Sequence, residues 1–178
     1  MTWNVRYFGH PSGGLRATDP SIRRLAWAVA GQAALPDVIA LQEVESESLR
    51  GGGGGSQLDR FAARLAEALE GHRRATRYTA HYFPAHRYAL GSAALYTTGL
   101  AVLVRDGLDV EAASPREITH VRVRGFARLK QRRLAVHVRV RQPGSAHALD
   151  LFNTHLSLPA FLEVGPHRVH SRMGHGTN

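Results

Sequence analysis

Asn4, Glu43 and His155 are polar side chains in or at the end of apolar stretches, where the local pattern does not call for them. Asparagine is unfavourable in strands, yet Asn4 lies between Trp3 and Val5. Glu43 closes the run Asp37-Val38-Ile39-Ala40-Leu41-Gln42-Glu43-Val44. A carboxylate at the end of a buried strand costs free energy unless a cation or a donor meets it. His155 follows Asn153 and Thr154 at the end of a third apolar run. Amide and carboxylate oxygens are hard ligands. One carboxylate, one or two further oxygens and retained waters make the usual surroundings of Mg²⁺. An imidazole nearby can contact a phosphate oxygen or move a proton at neutral pH. Each residue also has an ordinary reading: a strand-edge amide, a carboxylate leaving the core for water, a satisfied half-buried histidine.

Other constellations carry less. His167, His170 and His175 lie among glycine and proline breakers, with no cysteine or carboxylate to complete a zinc site. The absence of cysteine excludes disulfides and thiolate catalysis. Gly51 to Gly55 read as a flexible loop, and the Lys-Ser/Thr of a phosphate-binding P-loop does not follow them. No Gly-x-Ser-x-Gly elbow of a serine hydrolase occurs. Arg122, Arg124, Arg128, Lys130, Arg132 and Arg133 form a basic run, read as a solvated hairpin or as a contact to a phosphate backbone. Tyr78, Tyr82 and Phe83 read as core rather than as a stacking platform.

The elements that must position these residues follow from periodicity. Met1 to Phe8 alternates and reads as one strand. Thr18 or Asp19 caps a helix with Pro20 at its first position. Ile22, Leu25, Ala26, Val29 and Ala30 supply its inner face. After Pro36, Val38 to Leu41 reads as a strand covered on both faces. Ser56 caps a second helix with Leu58, Phe61, Leu65 and Leu69 on one side and Gly71 at its end. Strands are expected at Tyr78–Phe83, Thr98–Val104, Leu108–Glu111, Ile118–Val123, Arg133–Val140 and Ala148–Leu156, and His86–Thr97 is ambiguous. The order β, α, β, α and then strands joined by short turns suggests an α+β sandwich.

The 178 residues suit a single domain, and residues 160–178 read as an irregular tail. The net charge of +9 is almost all arginine, since Lys130 is the only lysine. It favours polyanions such as nucleic acid or phospholipid headgroups, although a GC-rich genome also produces arginine for lysine. No uninterrupted apolar stretch is long enough to span a membrane. No basic segment followed by an apolar run stands at the N-terminus, so no signal peptide is read and a cytoplasmic location is favoured.

Taken in order, TWNVRYFGH, DVIALQEVE, TGLAVLVR and LDLFNTHLSLP resemble the endonuclease/exonuclease/phosphatase superfamily of deoxyribonuclease-like phosphodiesterases, from Thr2 to about Pro159. The resemblance implies a two-sheet sandwich flanked by helices. It implies hydrolysis of phosphodiesters or phosphomonoesters with Mg²⁺ or Mn²⁺. Asn4 then matches the metal-proximal asparagine, with a catalytic role. Glu43 matches the direct metal ligand, and His155 the contact to the scissile phosphate. Asn153 shares a side with His155 and is not expected to be catalytic. The family's Gly-Asp-x-Asn and Ser-Asp-His motifs do not occur. The sequence therefore reads as residues 1–178 of an incomplete domain, its C-terminal part missing. The expected substrate is a phosphoester, with nucleic acid among the candidates. The alternative is a non-catalytic remnant or basic domain that binds anionic partners. A missing half would bare an inner face, so self-association is expected.

Overall fold

The computed structural model describes residues 1–9, 19–46, 56–90, 93–118 and 132–155. Two sheets face each other. The first has strand order β1-β2-β4-β3, from β1 (Thr2–Asn4), β2 (Val38–Ser46), β3 (Tyr78–Leu90) and β4 (Ala93–Arg105). The second has order β5-β6-β7, from β5 (Asp109–Glu117), β6 (Leu134–Arg141) and β7 (Ala148–Thr154). β1 runs parallel to β2, and every other pairing is antiparallel.

Apolar residues on β2 and β4 serve two cores because strand side chains alternate. Ile39, Leu41, Val44, Ala101 and Leu103 face α1 (Asp19–Ala30) and α2 (Gln57–Gly71). Val38, Leu100, Val102 and Val104 face Val136, Val138 and Val140 of β6. The buried face of α1 is the expected set Ile22, Leu25, Ala26, Val29 and Ala30. The expected face of α2 is buried as well, and Ser56 caps that helix by accepting from the Asp59 N–H. An α+β sandwich with helices on one outer side results. Tyr78 and Tyr82 pack partly buried against the helix-side core, and Phe83 lies between the sheets, as a core reading requires.

Several boundaries differ from expectation, three of them with consequences for the site or the core. The first strand stops at Asn4, and Arg6–Phe8 forms a tight left-handed turn with φ of 44°, 57° and 53°. The turn carries Phe8 off the sheet into the helix-side core, its ring 5.5 Å from that of Phe61. Such dihedrals cost about 1–2 kcal/mol each, and burial of Val5 and Phe8 offsets part of that. β2 continues past Leu41 to Ser46, so Glu43 lies within a strand rather than at its end. β5 runs to Glu117, whereas Leu108 and Ile118 lie outside it. The ambiguous stretch 86–97 is strand on both sides of residues 91–92.

The glycine run, the basic residues Arg122, Arg124, Arg128 and Lys130, the strand expected to Val123 and the three tail histidines lie outside the described residues. Between the two sheets, at the side where β1 and β7 are the outermost strands, a cavity of about 520 Å³ is lined by Thr2, Val38, Ala40, Val102, Val138, Leu149 and Leu151, among others. Among the described residues no helix is long and apolar enough to cross a membrane.

Candidate functional site

Glu43 is the extra residue of a β-bulge. β2 pairs Gln42 with Leu100 and Val44 with Gly99, and Glu43 has no partner across the ladder. Its φ is +57°, in the left-handed region that a non-glycine residue enters at a cost. The neighbours on both sides are tied down. The Gln42 carbonyl accepts from the Val5 N–H at 3.1 Å. The Tyr82 hydroxyl lies 3.3 Å from the Val44 carbonyl and 3.1 Å from that of Thr97. The Glu45 N–H donates to Oε1 of buried Gln57 at 3.1 Å. Unbulged alternation would point residue 43 into the helix-side core with Leu41. The extra residue gives that place to Val44 and turns the Glu43 carboxylate out of the sheet.

Asn4 and His155 meet it there. Asn4 Nδ2 donates to Glu43 Oε1 at 3.0 Å. Asn4 Oδ1 accepts the Arg6 N–H at 2.9 Å, so the left-handed turn fixes which end of the amide faces Glu43. His155 lies one residue past the end of β7, with Nε2 3.2 Å from the same Glu43 Oε1. Three sequence segments thus converge on one carboxylate oxygen. Among the described residues no hydrogen bond reaches the other, Oε2. Behind His155, Arg133 Nη1 is 2.9 Å from Nδ1. Burial, then the Arg133 charge, hold the His155 pKa below its ordinary value against the opposing pull of Glu43. A shallow cleft beside the imidazole is lined by Ala85, Thr98, Gly99, Arg132, Arg133 and Leu134.

Beneath the site lies a polar tie between the sheets. Buried Asn153 donates through Nδ2 to the Leu41 carbonyl at 3.1 Å and the Ala101 carbonyl at 3.2 Å. Its Oδ1 accepts from Gln42 Nε2 at 2.6 Å, and the same nitrogen donates to Thr2 Oγ1 at 2.9 Å. Both N–H groups of each amide are therefore used. Sequence reasoning did not single out Gln42 or Arg133. An amide inside an apolar strand was a visible signal for Gln42. Arg133 was indistinguishable from its arginine neighbours.

Among the described residues no group of three or more His, Cys, Asp or Glu could hold a metal. The donors present suit a hard cation bound through one carboxylate, with water or substrate oxygens completing its shell.

Residues 1–172 match the sequence model of the Endonuclease/Exonuclease/phosphatase family. The fold is similar to that of an endonuclease/exonuclease/phosphatase from Beutenbergia cavernae, at 24% identity and a TM-score of 0.56, over 89% of this chain and 38% of that one. It is also similar to an endonuclease/exonuclease/phosphatase family protein from Leptotrichia buccalis, at 23% identity and a TM-score of 0.57, over 89% of this chain and 53% of that one. The chain thus spans between about two fifths and half of the length of these structures. A search of curated proteins gave no match.

Proposed function

The chain belongs to the Endonuclease/Exonuclease/phosphatase family, and on that premise we propose that it provides Asn4, Glu43 and His155 to a metal-dependent site that hydrolyses phosphoesters, most naturally phosphodiesters. The observation that carries this reading is the convergence of these side chains on Glu43 Oε1 with Oε2 left open. Glu43 would hold Mg²⁺ or Mn²⁺ directly, through the oxygen that Asn4 and His155 leave open. Asn4 stands at the same position, holding the carboxylate through Nδ2 and keeping one oxygen lone pair beyond its bond to Arg6. When bound, the ion supplies Lewis-acid polarisation of the phosphate. His155 supplies a donor to a non-bridging phosphate oxygen, where charge develops during in-line attack by water. The net charge of +9 attracts an anionic substrate, nucleic acid included.

Hydrolysis of bis(p-nitrophenyl) phosphate with and without Mg²⁺ tests the proposal. Metal-dependent turnover that disappears in Glu43→Ala and His155→Ala supports it. A second reading rests on the net charge of +9, which draws anionic partners whether or not they are cleaved. In that reading the domain binds anions without turning them over. Retained affinity for a phosphodiester with no turnover at any metal concentration would favour it.

A further inference from the structure

We propose that Arg133 is a positioning residue that fixes the proton of His155 on Nε2, so that the imidazole meets a bound phosphate as a hydrogen-bond donor and not as a base. The functional part of this inference rests on the phosphoesterase reading; the proton placement rests on geometry alone.

A guanidinium has donors only and stays protonated in proteins. At 2.9 Å from Arg133 Nη1, the Nδ1 of His155 must therefore be the acceptor. Its lone pair is occupied, and the ring proton belongs on Nε2. The other side of the ring agrees independently. Nε2 lies 3.2 Å from Glu43 Oε1, and an ionised carboxylate only accepts. Asn4 adds a second donor to the same oxygen. The direction of the bond to Nδ1 is thus set by the guanidinium, and the carboxylate stands beside the other nitrogen as an ion-pair partner.

Arg133 is placed to do this. It directly precedes β6, and its carbonyl accepts the Ile118 N–H at 3.0 Å, just past the end of β5. The preceding residue is held too, since the Arg132 N–H lies 3.4 Å from His86 Nδ1. The side chain reaches from the second sheet to the cleft, where Thr98 and Gly99 of β4 face it. The sign of the charge behind the ring is the deciding chemistry. A carboxylate behind Nδ1 would take a proton there and leave a lone pair on Nε2, the arrangement of a general base. A guanidinium does the reverse. A water nucleophile at this site would then lose its proton to a group other than His155.

The test reads the tautomer directly. In ¹⁵N-histidine protein without metal, at about pH 8.5 and so above the ordinary histidine value, long-range ¹H–¹⁵N correlation spectra report which ring nitrogen carries hydrogen. His155→Gln assigns the signals. Wild type and Arg133→Lys are expected to show hydrogen on Nε2 alone, because an ammonium also donates to Nδ1. Arg133→Glu is expected to move it to Nδ1. The ring of His137, bonded to Asp150 at 2.7 Å on the far side of the second sheet, reports whether each variant is folded. Hydrogen on Nδ1 in wild type overturns the proposal whatever the variants do. An unchanged tautomer in folded Arg133→Glu overturns it too. Because neither metal nor substrate is present, a failure of phosphoester hydrolysis would count against the proposed function and leave the proton placement standing.

Discussion

Replacing Glu43 by glycine or by alanine removes the same carboxylate, and the difference between the two variants isolates the backbone. In an ordinary strand glycine is the worse choice, by about 0.5–1 kcal/mol, because it loses more freedom on folding. At φ +57° the order inverts. A residue with a Cβ pays about 1–2 kcal/mol for the left-handed conformation, and glycine pays none of it. Set against its entropic disadvantage, glycine at position 43 should be the more stable variant by about 0.5–1 kcal/mol. Ala40 serves as the control two pairs earlier in the same strand, opposite Val102 and with no positive φ. There Ala40→Gly should cost about 0.5–1 kcal/mol, the usual direction. Urea unfolding with matched slopes measures both, and for a chain of this size each kcal/mol appears as about 2–4 °C in Tm. Both Glu43 variants should be inactive. If Glu43→Gly proves less stable than Glu43→Ala by the same margin as at position 40, residue 43 does not occupy a left-handed bulge and the account of how its carboxylate is aimed fails.

Asn153→Ala should destabilise the protein by about 2–4 kcal/mol, since it orphans a Gln42 donor and uncovers two buried carbonyl contacts; a urea midpoint within a few tenths of wild type would refute the tie between sheets. Gly99→Ala drives a Cβ into the Phe83 carbonyl and to 3.0 Å from the Tyr82 ring, so β3 or β4 must shift; a loss of about 1–3 kcal/mol is expected, read by thermal unfolding. His155 and His86 are both held below the ordinary histidine pKa, in each case by burial first, then by Arg133 for His155 and by Arg132 and Arg133 for His86. The unfolded chain therefore binds these protons more readily, and their contribution is full above about pH 6.5 and is lost as pH falls through the folded-state values; unfolding midpoints across that range should decline with acidity, less so in the double His→Gln variant.

The inner faces of both helices were legible because a stripe at spacings of three and four residues is a property of the local sequence alone. The strands were legible where alternation or an apolar run persisted, as in β6. Asn4, Glu43 and His155 could be singled out because each is a polar residue where an apolar one fits better. How they meet was not legible. Nothing marks a bulge at Glu43, since glycine, the usual sign of a left-handed residue, is absent there. The turn at Arg6–Phe8 is likewise built from three side-chain-bearing residues, and what drives it is burial of Phe8 against α2, a contact between positions far apart in sequence. Arg133 acquires its role only when β5, β6 and β7 pair, because its partner lies 22 residues away.

The joint at Asn153 also sets where His155 stands. His155 extends two residues beyond it, an arm of about 6.6 Å at strand spacing. A rotation of β7 of about 10° about that joint would carry the imidazole by about 1 Å, a displacement that in an enzyme can cost about 100-fold in rate. The gap between His155 and Glu43 is thus gauged inside the sandwich, where Asn153 grips the Leu41 and Ala101 carbonyls. Any change in how the two sheets lie against each other would therefore change that gap.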